Sequence, residues 1–256
     1  YSQGWKAGSF DARGANFSSP EVVDGFEPET LDSYEAGVKA TWLDGRARTN
    51  VALFQSDYQD MQIPGSIAVD SDGDGLNDGF VGAVTNAAES EIRGLEFEGL
   101  FLITDALSAQ ASLSLLDAEL KEWLVSGVDV SSRREIQNTP ESMAYLGLTY
   151  SIPVAEGDLN VNVSWSYKDE IVQFEVPVES LDQDAYSLYN ASVVWLSGDD
   201  HWTVGLHGKN LGDEEVKTSG YCFGTNGCGV PLGLENNNTV FYAPPRTLTT
   251  TVEYRF

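Results

Sequence analysis

Residues Leu159 to Lys168 read LNVNVSWSYK and alternate without exception: Leu159, Val161, Val163, Trp165 and Tyr167 fall on one side, Asn160, Asn162, Ser164, Ser166 and Lys168 on the other. Successive side chains of an extended chain point to opposite faces, so this period of two builds a strand with one apolar and one polar face. The pattern recurs. Tyr34, Ala36, Val38, Ala40 and Trp42 oppose Ser33, Glu35, Gly37, Lys39 and Thr41, and Ala144, Leu146, Leu148, Tyr150 and Ile152 oppose a face holding Gly147, Thr149 and Ser151. The last stretch, Pro244 to Phe256, sets Leu248, Thr250, Val252, Tyr254 and Phe256 against Thr247, Thr249, Thr251, Glu253 and Arg255.

Alternating runs bounded by Gly, Asp, Asn and Pro predict about ten strands, near Tyr1–Arg13, Leu31–Leu43, Arg46–Gln62, Thr85–Leu102, Ala106–Leu120, Thr139–Ile152, Asp158–Val172, Asp184–Leu196, His201–Asn210 and Arg246–Phe256. No segment competes as a long amphipathic helix. The connections alternate in length: tight turns at Leu43–Arg46, Leu102–Ala106, Val154–Asp158 and Ser197–Asp200, and long polar loops near Gly14–Thr30, Ile63–Val84, Lys121–Asn138, Gln173–Gln183 and Leu211–Pro245. Short connections at one end and long ones at the other mark a transmembrane barrel, whose strands face lipid outside and a polar lumen inside. Aromatics such as Trp5, Tyr34, Trp42, Trp165, Tyr167, Trp195 and Trp202 stand toward the strand ends, where an interfacial girdle belongs.

Charge narrows the function. Lys+Arg 14 against Asp+Glu 40 gives a net charge of −26, which excludes nucleic acid because phosphates demand a basic footprint. It also repels anionic headgroups unless divalent cations bridge them. There is no run of about 18 apolar residues to form a transmembrane helix, so a membrane protein of this sequence must be a closed barrel.

Several segments, taken in order, resemble the β-barrel of TonB-dependent outer-membrane receptors. They are Pro28-Glu29-Thr30 with Leu31-Asp32-Ser33-Tyr34-Glu35-Ala36-Gly37-Val38-Lys39; Asn50-Val51-Ala52-Leu53-Phe54 leading to Asp57-Tyr58-Gln59-Asp60-Met61-Gln62; Asn86-Ala87-Ala88-Glu89 with Arg93-Gly94-Leu95-Glu96-Phe97-Glu98-Gly99; Asn138-Thr139-Pro140-Glu141; Lys209-Asn210-Leu211-Gly212-Asp213; and Tyr254-Arg255-Phe256. The resemblance covers essentially residues 1–256. It implies an all-β fold, an antiparallel barrel of 22 strands plugged by an N-terminal globular domain. About ten strands fit here, and neither the plug nor the TonB-contacting segment does. The expectation is therefore a C-terminal barrel segment completed by a missing N-terminal barrel portion and plug. The implied function is TonB-energised uptake of a scarce substrate, a ferric siderophore, cobalamin or an oligosaccharide, in an outer membrane of phospholipid and lipopolysaccharide. No covalent chemistry is expected, since no Ser-His-Asp, H-E-x-x-H or phosphate-cradling glycine motif occurs.

One loop carries explicit chemistry. Asp70-Ser71-Asp72-Gly73-Asp74-Gly75-Leu76-Asn77-Asp78 supplies oxygens from Asp70, Asp72, Asp74, the Leu76 carbonyl and Asp78 around a glycine-permitted turn, which suits calcium. Val81 stands where a bidentate Glu normally completes such a site, so the expected affinity is modest. Cys222 and Cys228 share one long loop and in an oxidising compartment are expected to form a disulfide. Trp123, Tyr221 and Phe223 are the aromatic candidates for binding substrate in the loops. The competing reading is a secreted calcium-stabilised β-sandwich that binds or cleaves polysaccharide, whose apolar strand faces would pack on one another.

Overall fold

The structure, a computed structural model, describes residues 1–12, 24–70, 79–125, 128–154, 156–223 and 237–256. Among them are thirteen strands and no α-helix: β1 (Ser2–Lys6), β2 (Glu29–Trp42), β3 (Ala47–Val69), β4 (Gly79–Leu102), β5 (Leu107–Val125), β6 (Val128–Asp129), β7 (Ser142–Val154), β8 (Gly157–Lys168), β9 (Tyr186–Ser197), β10 (Trp202–Lys209), β11 (Lys217–Phe223), β12 (Asn237–Tyr242) and β13 (Thr247–Tyr254). Ten of them form one path in the order β1-β2-β3-β4-β5-β7-β8-β9-β10-β13, with β6 pairing β5 off the path, while β11 and β12 form a separate two-stranded sheet. Each of the ten expected strands is present. The additional three, β6, β11 and β12, lie inside segments read as loops.

The described chain divides into two compact units. One comprises Tyr1–Glu35, Phe54–Arg93 and Ala118–Ile136; the other comprises Ala36–Leu53, Gly94–Asp117 and Gln137–Phe256.

In the second unit the alternating sequence becomes rows across the sheet. Ser108, Thr149, Asn162, Ser192, His207 and Thr249 stand in register on six successive strands. Their side chains hydrogen-bond along the row, Thr149 Oγ1 donating to Asn162 Oδ1 at 2.8 Å and Asn162 Nδ2 to Ser192 Oγ at 3.5 Å. One residue along each strand, the register brings together Leu107, Tyr150, Val161, Val193, Leu206 and Thr250 on the other face. Tyr150, Val193 and Leu206 there are exposed, as are Leu113, Leu146, Val163, Leu248 and Val252. Polar side chains bond one another along the row, whereas these apolar residues are exposed among the described residues, opposite to what a sandwich requires.

The tight turns are held by specific chemistry. Leu43 and Asp44 both adopt φ 53°, Gly45 follows at 91°, and Arg46 donates from Nε and Nη2 to the carbonyls of Leu102 and Ile103 at 3.1 Å each. Arg46 also pairs with Asp105 at 3.5 Å, so one side chain ties two neighbouring turns together. Gly157 sits at φ 141°, where any Cβ would run into the Leu196 carbonyl oxygen. At the turn joining β9 to β10, Asp199 accepts from Ser197 Oγ at 2.5 Å and from the His201 backbone N–H at 3.1 Å. These donors hold the Asp199 carboxyl below its ordinary pKa.

The end of β8 differs from the expected Val172, because the chain stops pairing at Lys168. Asp169 explains the stop: its carboxylate accepts from Ser142 Oγ at 2.7 Å, the Glu170 N–H at 3.1 Å and Tyr167 Oη at 3.2 Å, a local alternative to the ladder. The Lys209–Asp213 motif closes β10 in a comparable way. Asn210, 7% exposed, takes φ 49°, donates from Nδ2 to the Glu214 carbonyl at 2.8 Å and accepts from the Glu214 N–H at 2.9 Å. Asp213 then receives the Arg246 N–H at 2.9 Å and its guanidinium at 3.4 Å, fastening the start of β13.

Candidate functional site

Strands β3 and β4 run for 23 and 24 residues, about twice the 9–11 that cross a bilayer. They occupy much of the segment expected to be the Ile63–Val84 loop, and β5 likewise continues to Val125 inside the expected Lys121–Asn138 loop. Strand beyond the lipid has no apolar face to maintain, so the alternation that reveals a spanning strand fades there although the ladder continues.

In the first unit these extensions are joined by side chains. Gln62, 6% exposed, donates from Nε2 to the carbonyls of Ala7 and Glu27 at 3.1 and 3.0 Å, while its N–H meets Glu29 Oε2 at 2.8 Å. Asn86 donates to the Glu27 and Asp60 carbonyls at 2.9 and 2.7 Å and accepts the Glu27 N–H at 2.7 Å.

Trp123 lies on β5 rather than in a loop, and only 6% of it is exposed. With Ala88 it centres a cluster against which Met61, Ile63, Leu120 and Val130 pack. The short β5–β6 hairpin sets this up: Leu124 pairs with Asp129 and Val125 with Val128, and the Val130 N–H returns to the Trp123 carbonyl at 2.8 Å. Asp129 Oδ1 accepts the Ser131 and Trp123 N–H groups at 2.9 and 3.1 Å. Those backbone donors, Ser131's first, lower the Asp129 pKa. A single 3-10 turn, Ser131–Arg133, then brings Arg134 over the Trp123 ring, 5.6 Å from its centroid. The indole therefore meets a guanidinium within its own chain, a partner that its sequence position alone did not disclose.

Tyr221 and Phe223 belong to β11, where their backbones pair with Thr239 and Asn237 of β12. Their side chains lie outside the described residues. The β11–β12 hairpin is strapped by the β8–β9 connection. Leu181, 1% exposed, sits where a Cβ on Gly220 would strike it, Lys217 Nζ reaches the Asp182 carbonyl at 2.7 Å, and the Lys217 N–H reaches Gln183 Oε1 at 2.7 Å. Ile171 and Gln183 bridge the two limbs of that connection. Of the expected calcium ligands, Asp70 directly follows β3, and Asp72, Asp74, Leu76 and Asp78 lie outside the described residues. Cys222 is placed on β11 by its backbone, whereas Cys228 lies outside the described residues.

The family model described as "TonB dependent receptor-like, beta-barrel" matches residues 1–211. This chain belongs to the TonB-dependent receptor β-barrel family. It is thus an outer-membrane β-barrel protein of Gram-negative bacteria, and its exposed apolar rows face lipid. The receptor chain is 25% identical over 240 residues to the ferric-pyoverdine M114 receptor PbuA of Pseudomonas sp. (strain M114), covering 92% of this chain and 26% of that protein. In fold it is similar to the ferric yersiniabactin uptake receptor FyuA of Yersinia pestis, with TM-score 0.74 and 17% identity over 99% of this chain and 34% of the other. It is also similar to the ferric-catecholate import receptor Fiu of E. coli K12, with TM-score 0.62 and 18% identity over 98% and 30%. The chain therefore spans about a quarter to a third of the length of these receptors. These relatives are named as receptors for ferric complexes.

Proposed function

We propose that the receptor carrying this chain takes up a ferric siderophore across the outer membrane. The reading rests on one observation above others: a barrel-family match over most of the chain whose relatives, named for pyoverdine, yersiniabactin and catecholate iron complexes, share a cargo class. Cobalamin and oligosaccharides are the alternative cargoes. The long connections would bind the chelate, Tyr221 and Phe223 of β11 supplying aromatic surface. TonB would deliver the energy through a plug segment outside these 256 residues. Direct binding to the purified full-length receptor in detergent decides among cargoes. Saturable binding of at least one ferric siderophore, with none of cyanocobalamin or maltooligosaccharide, is expected; the reverse pattern removes the reading.

Two local proposals accompany it. Asp70, Asp72, Asp74, the Leu76 carbonyl and Asp78 would hold a calcium ion that keeps the β3–β4 connection closed despite its crowded carboxylates. Asp72→Ala with Asp74→Ala should abolish the calorimetric signal of calcium binding, and unchanged heats would remove the site. Cys222 and Cys228 would be joined as a disulfide stiffening the β11–β12 connection, seen as a gain of two thiols on reduction.

A further inference from the structure

Among the described residues Arg134 makes no ion pair with an acid. Its Nε is shielded from solvent and has no acceptor among the described residues, and its guanidinium rests on the Trp123 ring instead of on a carboxylate. Acids are not scarce. The chain carries 40 of them against 14 basic residues, with Glu122 beside Trp123 and Glu135 beside Arg134. Asp129, the acid on β6 of the hairpin, spends its Oδ1 on the backbone N–H groups of Trp123 and Ser131. Burying one donor of a charged group without an acceptor is costly, and the ring face recovers only part of that. The arrangement is also rigid. The Arg134 N–H is fixed to the Ser131 carbonyl at 3.0 Å, the Arg133 N–H to the Val130 carbonyl at 2.9 Å, and the ring beneath is locked in the Ala88 cluster.

A guanidinium held over an indole, with no carboxylate partner among the described residues, is preorganised to take an anionic oxygen ligand through its remaining N–H fork. We propose that Arg134, positioned by Trp123, is a charge-reading residue of the receptor that selects cargo bearing exposed anionic oxygens, such as a ferric tris-catecholate, over a neutral ferric chelate. This rests on the siderophore reading above and makes it more specific. It also reassigns Trp123: at 6% exposure the indole positions the arginine instead of itself covering the ligand. In a chain of net charge −26, an anionic cargo is repelled at long range, so a local cation must supply the attraction.

The test uses the full-length receptor in detergent and two iron-55 chelates, an anionic ferric tris-catecholate and a neutral ferric trihydroxamate. Wild type should bind the anion more tightly. Arg134→Gln should weaken the anion by about tenfold to a hundredfold, the range for losing a charged hydrogen bond, and the neutral chelate by no more than about twofold. Arg134→Lys should fall between, keeping the charge without the fork, and should show by its heat-modifiable mobility that the barrel is folded. Trp123→Phe should weaken the anion less than Arg134→Gln, because a ring remains. Equal losses for both chelates, or none for the anion, overturn the inference while leaving siderophore binding intact. Loss of co-purifying lipopolysaccharide with unchanged chelate binding overturns it in favour of a lipid phosphate. If wild type binds neither chelate, the siderophore reading itself falls.

Discussion

Single residues account for where this chain stops pairing and turns. Asp169 ends β8 by collecting the Ser142 hydroxyl, the Glu170 N–H and the Tyr167 hydroxyl, and the first of these is the largest cause of its lowered pKa. A carboxyl whose folded pKa lies below its unfolded value near about 3.9 adds stability that is present above that value and lost as pH falls through the folded pKa. The protection factor of the Asp169 N–H, which bonds the Ser142 carbonyl at 3.0 Å, should therefore fall on acidification once the intrinsic exchange rate is divided out, and Asp169→Asn should remove that acid dependence. A protection factor that stays constant to low pH in wild type would refute the linkage. Asn210 is more deeply committed, with a left-handed φ and hydrogen bonds at 2.8 and 2.9 Å to both backbone groups of Glu214. Asn210→Ala should cost about 2–4 kcal/mol of unfolding free energy in lipid, because buried backbone groups lose their partners. The Asn-Leu-Gly-Asp motif was legible in the sequence, but its reason was not: only the fold shows Asn210 closing β10 and Asp213 fastening Arg246 of the strand that follows. Trp123 is the opposite case, since its aromatic identity drew notice while its burial, and Arg134 above it, depended on a hairpin that no periodicity announced.

At the scale of elements, the alternation carried most of the fold. Wherever one face meets lipid and the other a polar interior, a slip of one residue would invert the whole strand, so the sequence must keep period two, as β8 does from Leu159 to Lys168. Where that constraint lapses the pattern lapses too, and for that reason the outer parts of β3 and β4 and the whole of β6, β11 and β12 carry no strand signal in the sequence. The alternation makes a sharp prediction at neighbouring positions. Val163, exposed on the apolar face near the middle of β8, and Ser164, in register with Gly147 and Asn190 on the polar face, differ by one residue. Val163→Lys should destabilise the folded receptor in lipid by about 2–4 kcal/mol, and Ser164→Lys by less than about 1 kcal/mol, measured by denaturant unfolding in vesicles. Equal costs would mean that the two faces do not see different solvents. Gly157→Ala, at the turn feeding β8, should also cost about 1–3 kcal/mol, since φ 141° and the Leu196 carbonyl leave no room for a methyl group.

For the whole molecule, the membrane assignment was legible because strands of spanning length, connections long at one end and the family-like segments in order agreed. The cargo was not legible, because siderophore, cobalamin and oligosaccharide receptors share strands and differ in loops. Much of that loop chemistry involves residues whose roles no strand pattern specifies, Arg134 among them. The account joins a lipid-facing sheet, long-connection recognition and energised iron uptake into one claim, and cells test it directly. Iron-limited cells lacking the receptor, then complemented with the full-length gene, should accumulate iron-55 from a ferric siderophore only when complemented. Dissipating the proton motive force, or deleting tonB, should abolish that uptake while surface binding persists. Uptake that continues without TonB, or that is the same with and without the receptor, would contradict the account.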